Sequence, residues 1–250
     1  MAVPVAACFE NMETAEGGLS GDRWAAVGET VGRLYRILAQ HPAGPPRRVP
    51  AREVCDVKRA RQRLDRLLVF FAKKPPASGF PAWARETAAR RLDALPAVTA
   101  MIKGLWTSMT VQTVHGDLAS SNLLLRGQRV AALIGFRPPG HRSPPGSWGG
   151  SSWTRAPFWQ SRSGRLGLGA AVAAYRAADP ALPAKELLAV PRLAAGYLVC
   201  SVYPLCGAVD DPAAVTPELA ACGHNRQAAM AGLCERLVEA EEVVLHDLLR

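Results

Sequence analysis

No stretch of the 250-residue chain approaches the roughly 20 consecutive apolar residues that a membrane-spanning helix needs, so the sequence predicts no membrane partner. A basic leader is lacking as well. The start, Met1 to Phe9, is apolar but short and runs straight into Glu10 and Glu13, which argues against a signal peptide and predicts a cytoplasmic protein. The six cysteines form no Cys-x-x-Cys pair and no zinc-like spacing. Cys222 and His224 could supply two ligands, but nothing nearby completes a tetrahedral set, so the thiols read as those of a reducing compartment. Aromatic residues are scarce at 6%, and none is interleaved with the basic cluster Lys58, Arg59, Arg61 and Arg63. With Asp56 and Asp65 interrupting it, that cluster predicts a solvated helix face and not a nucleic-acid stripe. The net charge of +9 rests on scattered arginines in an Ala-, Pro- and Gly-laden chain, a bias that GC-rich coding produces by itself. No nucleic-acid partner is expected.

What is present is apolar material: 49% hydrophobic against 20% charged residues is enough for a real core and excludes wholesale disorder. Val3–Phe9 reads as a short strand and Glu10–Ser20 as a polar connector. Asp22 is placed to cap a helix over about 23–40, whose apolar positions Trp24, Val27, Val31, Leu34, Ile37 and Leu38 recur at helical spacing. Further helices are expected over about 51–74 and 82–104, the latter with a kink at Pro96. The texture then turns β-like at Met109–Val114, Asn122–Leu125 and Val130–Phe136, the last two joined across Gly127. Residues 137–169 have no usable periodicity. Helices resume at about 168–178, 184–206 and 225–249, with Val209–Pro217 as a loop. The expected class is α+β, mostly helical, with a small central β-hairpin.

That hairpin carries the chemistry. In Val114-His115-Gly116-Asp117-Leu118-Ala119-Ser120-Ser121-Asn122, an apolar strand delivers an acid, and an Asn follows five positions later as the next strand begins. Phosphoryl transfer asks for this pairing: a carboxylate to orient an acceptor hydroxyl and take its proton, and an amide oxygen to hold a metal ion against phosphates. The plainer reading is an Asp and an Asn capping a turn between strands.

On these residues the chain resembles the aminoglycoside phosphotransferase family, small-molecule kinases related to protein kinases. The resemblance implies a kinase-like C-lobe, with Asp117 as catalytic base, Asn122 as metal ligand, and His115 and Gly116 shaping the loop of residues 115–122. Gly28–Tyr35 looks like the helix that opens the family's C-lobe, and Ala177–Pro183 with the helices after it like its substrate-side region. It implies ATP and Mg²⁺ as cofactors and a hydroxylated small-molecule acceptor. Asp210, Asp211, Glu218 and the acidic C-terminal run (Glu235, Glu239, Glu241, Glu242, Asp247) are candidate contacts for a cationic acceptor, or else a solvated helix face.

Three departures qualify the resemblance. Before the C-lobe, which is expected over 22–250, only residues 1–21 could represent the last N-lobe strand and the adenine-facing hinge, with Glu10 and Met12 as nucleotide contacts. No Gly-rich loop or strand-borne lysine precedes them, so the N-lobe reads as largely absent. Second, Gly135 stands where family members carry the Asp that is the main magnesium ligand; the choice is between a lost Asp and a glycine serving a strand-end turn. Third, residues 144–169 contain three of the six tryptophans (Trp148, Trp153, Trp159) and no acidic residue. That texture fits a frameshift replacing roughly 25 residues, or a Trp-bearing binding loop. Two functions are therefore expected from the sequence: an impaired ATP-dependent phosphotransferase, or an inactive module that binds a small molecule or a protein.

Overall fold

The computed structural model describes residues 11–42, 45–105, 108–138, 140–147 and 162–249. The Val3–Phe9 strand, Glu10 and the tryptophans Trp148, Trp153 and Trp159 lie outside them. No described helix is long and apolar enough to cross a membrane.

The described residues open with strand β1 (Glu13–Thr14) and a 3₁₀ turn at Ala15–Gly17, so the expected polar connector holds ordered structure, anchored by the fully buried Ala15. Helix α1 (Arg23–Leu38) buries Trp24, Val27, Val31 and Tyr35 along one stripe. Ile37, expected on that stripe, is 66% exposed, and Asp22 makes no side-chain capping bond. At Asp56 the expected chemistry appears one helix later: its Oδ1 accepts from the Arg59 amide at 2.8 Å and starts α2 (Val57–Lys73). Helix α2 packs on α3 (Gly79–Lys103), which continues through Pro96 with Leu95, Val98 and Ile102 buried on either side.

Two small antiparallel sheets follow. Strand β3 (Ser108–Thr113) lies between β2 (Arg47–Pro50) and β6 (His141–Arg142), with Thr113 opposite His141. Strand β4 (Leu123–Arg126) lies between β1 and β5 (Arg129–Leu133), the hairpin closing over Gly127 at φ 59°. Strand β2 was not expected, because Arg47 and Arg48 give it no alternating apolar pattern.

The remaining helices are α4 (Pro144–Ser147), α5 (Arg162–Ala178), α6 (Ala184–Leu187), α7 (Val190–Cys200), α8 (Gly207–Asp210), α9 (Pro217–Glu235) and α10 (Leu237–Leu248). Structure thus enters the stretch expected to be irregular: α5 starts six residues before the expected 168, and β6 and α4 precede it. The helix expected over 184–206 is divided into α6 and α7. Thr216, whose Oγ1 accepts from the Leu219 amide at 3.2 Å, starts α9 well ahead of residue 225.

Backbone proximity governs the packing of α1 on α5. A methyl group at Gly28 would stand 1.9 Å from the Ala171 carbonyl oxygen, and one at Gly32 would stand 2.8 Å from that of Tyr175. Gly167 lies under the Trp24 indole, where a Cβ would be 2.4 Å from Nε1. The Tyr35 and Tyr175 rings then meet edge to face at 6.2 Å. In α6 the fully buried Glu186 accepts from the Thr110 amide at 2.7 Å and from the Arg48 guanidinium, which ties β2 and β3 to the helical layer. These bonds supply the partners that a buried carboxylate requires.

Candidate active site

Strand β3 delivers the site. After Thr113 the chain passes through Val114 and the fully buried His115, turns at Gly116 (φ 83°), and presents the half-buried Asp117 on the loop of residues 115–122. Only glycine suits position 116. The backbone is left-handed there, and a Cβ would stand 2.8 Å from the Arg137 Cβ. The Asp117 amide donates to His115 Nδ1 at 3.3 Å, which links the acid to the histidine beneath it.

A 3₁₀ turn at Ser120–Asn122 then folds Asn122 back, so that its Nδ2 donates to the Asp117 carbonyl at 2.8 Å. Strand β5 continues past Leu133 over the same loop. Its Ile134 amide donates to the Asn122 carbonyl at 3.0 Å and its Arg137 amide to that of His115 at 3.1 Å. Between these two bonds Gly135 sits at φ 74°, and a Cβ built on it would lie 2.6 Å from Asn122 Oδ1. Phe136 covers the His115 ring, with centroids 4.1 Å apart. His115, Gly116, Asp117, Asn122 and Gly135 are therefore brought together. Met12 lies one residue before β1, the strand that edges the same hairpin.

This constellation of strand, acid, 3₁₀ turn and returning strand has its counterpart in known proteins. The model of the phosphotransferase enzyme family matches residues 10–138, a stretch that runs from just before β1 to just past Arg137. The chain belongs to that family. Two glucosamine kinase structures share the fold. Crystal form B superposes with a TM-score of 0.53 at 18% identity, covering 89% of this chain and 56% of that one. The complex with glucosamine, ADP and inorganic phosphate gives 0.51 at 19% identity, covering 89% and 54%. The phosphotransferase-family chain thus has a mostly helical, kinase-like fold and spans little more than half the length of these kinases. A search of curated protein sequences finds no match.

Two features of the phosphotransferase loop escape sequence reading. Arg137 Nη2 and Nε donate to Asp117 Oδ2 at 3.0 and 3.2 Å, so the acid faces a guanidinium that is itself largely exposed. Tyr35, from α1, accepts at its hydroxyl oxygen from the His115 backbone amide and meets Ser147 Oγ at 2.7 Å; burial pushes its phenol up to about 12. Gln112 Nε2 donates to the Tyr35 carbonyl at 2.7 Å and closes this support. The only signal for these residues was the apolar stripe that aims Tyr35 inward.

The expected acidic contacts are largely committed elsewhere. Glu241 pairs with Arg192, Asp211 Oδ1 accepts from the Ala214 amide at 3.3 Å, and Asp247 lies against His246 at 3.0 Å.

Burial holds the His115 imidazole below its ordinary value of 6.5, against smaller opposing contributions from Ile134 and Asp117. Because the unfolded chain then takes up the proton more readily, the neutral ring's contribution to stability is full above 6.5 and falls as pH drops below it. The thermal midpoint is therefore expected to fall on titration from about pH 7.5 to about 5.5. A midpoint that stays level or rises over that interval would contradict a buried neutral His115.

The oxygens available for a divalent cation are few. Asn122 supplies the side-chain atoms nearest position 135, its Oδ1 among them, and no group of three His, Cys, Asp or Glu ligands occurs among the described residues. Mg²⁺ favours carboxylate charge, so these residues do not fit a protein-built magnesium site.

Proposed function

We propose that this chain carries the acceptor-activating half of a small-molecule phosphotransferase, weakened by glycine at position 135. Asp117 receives the proton of an acceptor hydroxyl as that oxygen attacks a phosphoryl group, and Asn122 braces the loop that aims it. The observation that carries this reading is the convergence of three positions. Asn122 Nδ2 donates to the Asp117 carbonyl at 2.8 Å, while the same amide group lies within 2.7 Å of where a Cβ at position 135 would stand, the place where the family's sequence pattern has an acid. The phosphoryl donor would be a nucleoside triphosphate, with Glu10 and Met12 as its contacts. The acceptor would be a hydroxylated small molecule, as the glucosamine bound in one structural relative suggests.

The test restores the acid. Gly135→Asp introduces a carboxylate beside Asn122 Oδ1, and magnesium-dependent transfer of labelled phosphate from ATP to hydroxylated acceptors should rise at least about tenfold. The variant should also lose about 1–2 kcal/mol of stability, because position 135 is left-handed and the Asn122 amide must rotate away. Unchanged transfer in a folded Gly135→Asp protein would remove the proposal.

A second reading has its own observation. Arg137 occupies Asp117 Oδ2, an arrangement compatible with a module that binds a small molecule and transfers nothing. Such a module would bind acceptor compounds without nucleotide and stay inactive after Gly135→Asp.

A further inference from the structure

Beside the catalytic strand lies a cleft of about 640 Å³, walled by α2, β6 and the C-terminal end of α7. Its charge is modestly positive, three arginines against two carboxylates. Arg59, Arg63, Arg142 and His141 line it against Glu53 and Asp56, and Asp56 Oδ1 is already engaged at the start of α2. It opens next to the catalytic loop, because His141 is the cross-strand partner of Thr113, two residues before His115.

Behind the cleft stands a second source of positive charge. Arg226 of α9 lies under the rings of Tyr197 and Tyr203, at 5.7 and 5.8 Å, and its Nη2 is 3.4 Å from Ser201 Oγ; all three of these residues line the cleft. Arg91 of α3, fully buried, donates to Gln227 Oε1 at 3.1 Å and to the Ser201 carbonyl. Neither guanidinium meets a carboxylate among the described residues, and Arg226 Nε and Arg91 Nη2 are buried without any hydrogen-bond partner. Burial first, then the neighbouring Arg226 charge, brings the Arg91 guanidinium down to about 10. Two adjacent buried cations without a counter-charge are costly, and an anion at the cleft wall relieves that cost. Tyr203 stands half-exposed at this wall, where burial first and then Cys222 raise its phenol above the ordinary value, against the lowering charge of Arg226.

We propose that this cleft holds an anionic group of the acceptor, so that the natural substrate is a hydroxylated carboxylate or phosphate ester and not a cationic amine. The proposal rests on the reading of Asp117 as the acid that faces the acceptor hydroxyl. The anion is held by Arg63 and Arg142 at the cleft surface and by the field of Arg226 and Arg91 behind Ser201. Tyr197 and Tyr203 keep Arg226 in place.

Calorimetric titration of the full chain without nucleotide tests it, with gluconate and glucose 6-phosphate as anionic probes and glucose and glucosamine as comparators. At least one anionic probe should bind about tenfold or more tightly than glucose, and which one binds separates a carboxylate site from a phosphate site. Arg226→Gln should weaken that binding about tenfold. So should Arg63→Gln at an exposed position, which keeps the test open if Arg226→Gln fails to fold. Arg33→Gln, on α1 outside the cleft, should leave it unchanged. The proposal is overturned if glucose or glucosamine binds as tightly as both anions, or if Arg33→Gln weakens binding as much as Arg63→Gln. Anion binding that survives Asp117→Asn, in a protein that transfers phosphate to no acceptor, leaves the cleft standing and removes only the phosphotransferase reading. Transfer to glucosamine without any preference for anions does the reverse.

Discussion

Replacing Asp117 with Asn is expected to lower phosphate transfer by about a thousandfold while leaving the thermal midpoint within about 2 °C of the parent. The two halves of that expectation come from different atoms. Asp117 contributes to the fold through its backbone, where the amide donates to His115 Nδ1 and the carbonyl accepts from Asn122 Nδ2. An asparagine keeps both bonds. Its carboxylate makes only the contact to Arg137, between two side chains that both reach solvent, so losing it costs little. What an asparagine cannot do is accept a proton from an attacking hydroxyl. The comparison is best made in the Gly135→Asp background, where the parental rate is higher. A double variant as active as Gly135→Asp alone would show that the transfer does not pass through Asp117.

Gly28→Ala should destabilise the protein by about 3 kcal/mol or more, which lowers the thermal midpoint by roughly 6–12 °C for a chain of this size. The added methyl would meet the Ala171 carbonyl oxygen at 1.9 Å and the Ala171 Cα at 2.8 Å. Both are backbone atoms, so no rotamer change relieves the clash, and α1 and α5 must separate. Separation also withdraws Tyr35 from the His115 backbone, so the damage should reach the loop. Thermal unfolding of the variant checks this, and a midpoint unchanged within about 2 °C would mean that α1 and α5 are farther apart than described.

The site was legible in the sequence where it is local and illegible where it is not. His115, Gly116, Asp117 and Asn122 fall within eight residues, and the local turn brings them together. Arg137 and Tyr35 reach the same loop only through tertiary packing, and no periodicity announces such meetings. In the fold, the cap expected at Asp22 forms no side-chain bond, whereas Asp56, read only as an interruption of a basic cluster, caps α2. The exposure of Ile37 could not be foreseen, because it depends on where α1 leaves its partner helix. Arg48 misled for a related reason: it reads as surface charge, yet it pairs with Glu186 from the far side of the chain. The absence of periodicity over 162–167 had a physical cause too. Glycines that let α5 approach Trp24 and α1 closely carry no apolar signal, although they are what the packing selects.

The two bonds by which β5 grips the loop, Ile134 to Asn122 and Arg137 to His115, run from main chain to main chain. Neither bond uses a side chain of residues 134–137. The loop therefore closes through its main chain, with Gly135 at φ 74° between the two bonds. Under the proposed function, the shape of this loop and its reactivity are separable: the main chain closes the turn, and the side chain at position 135 decides what the loop can hold.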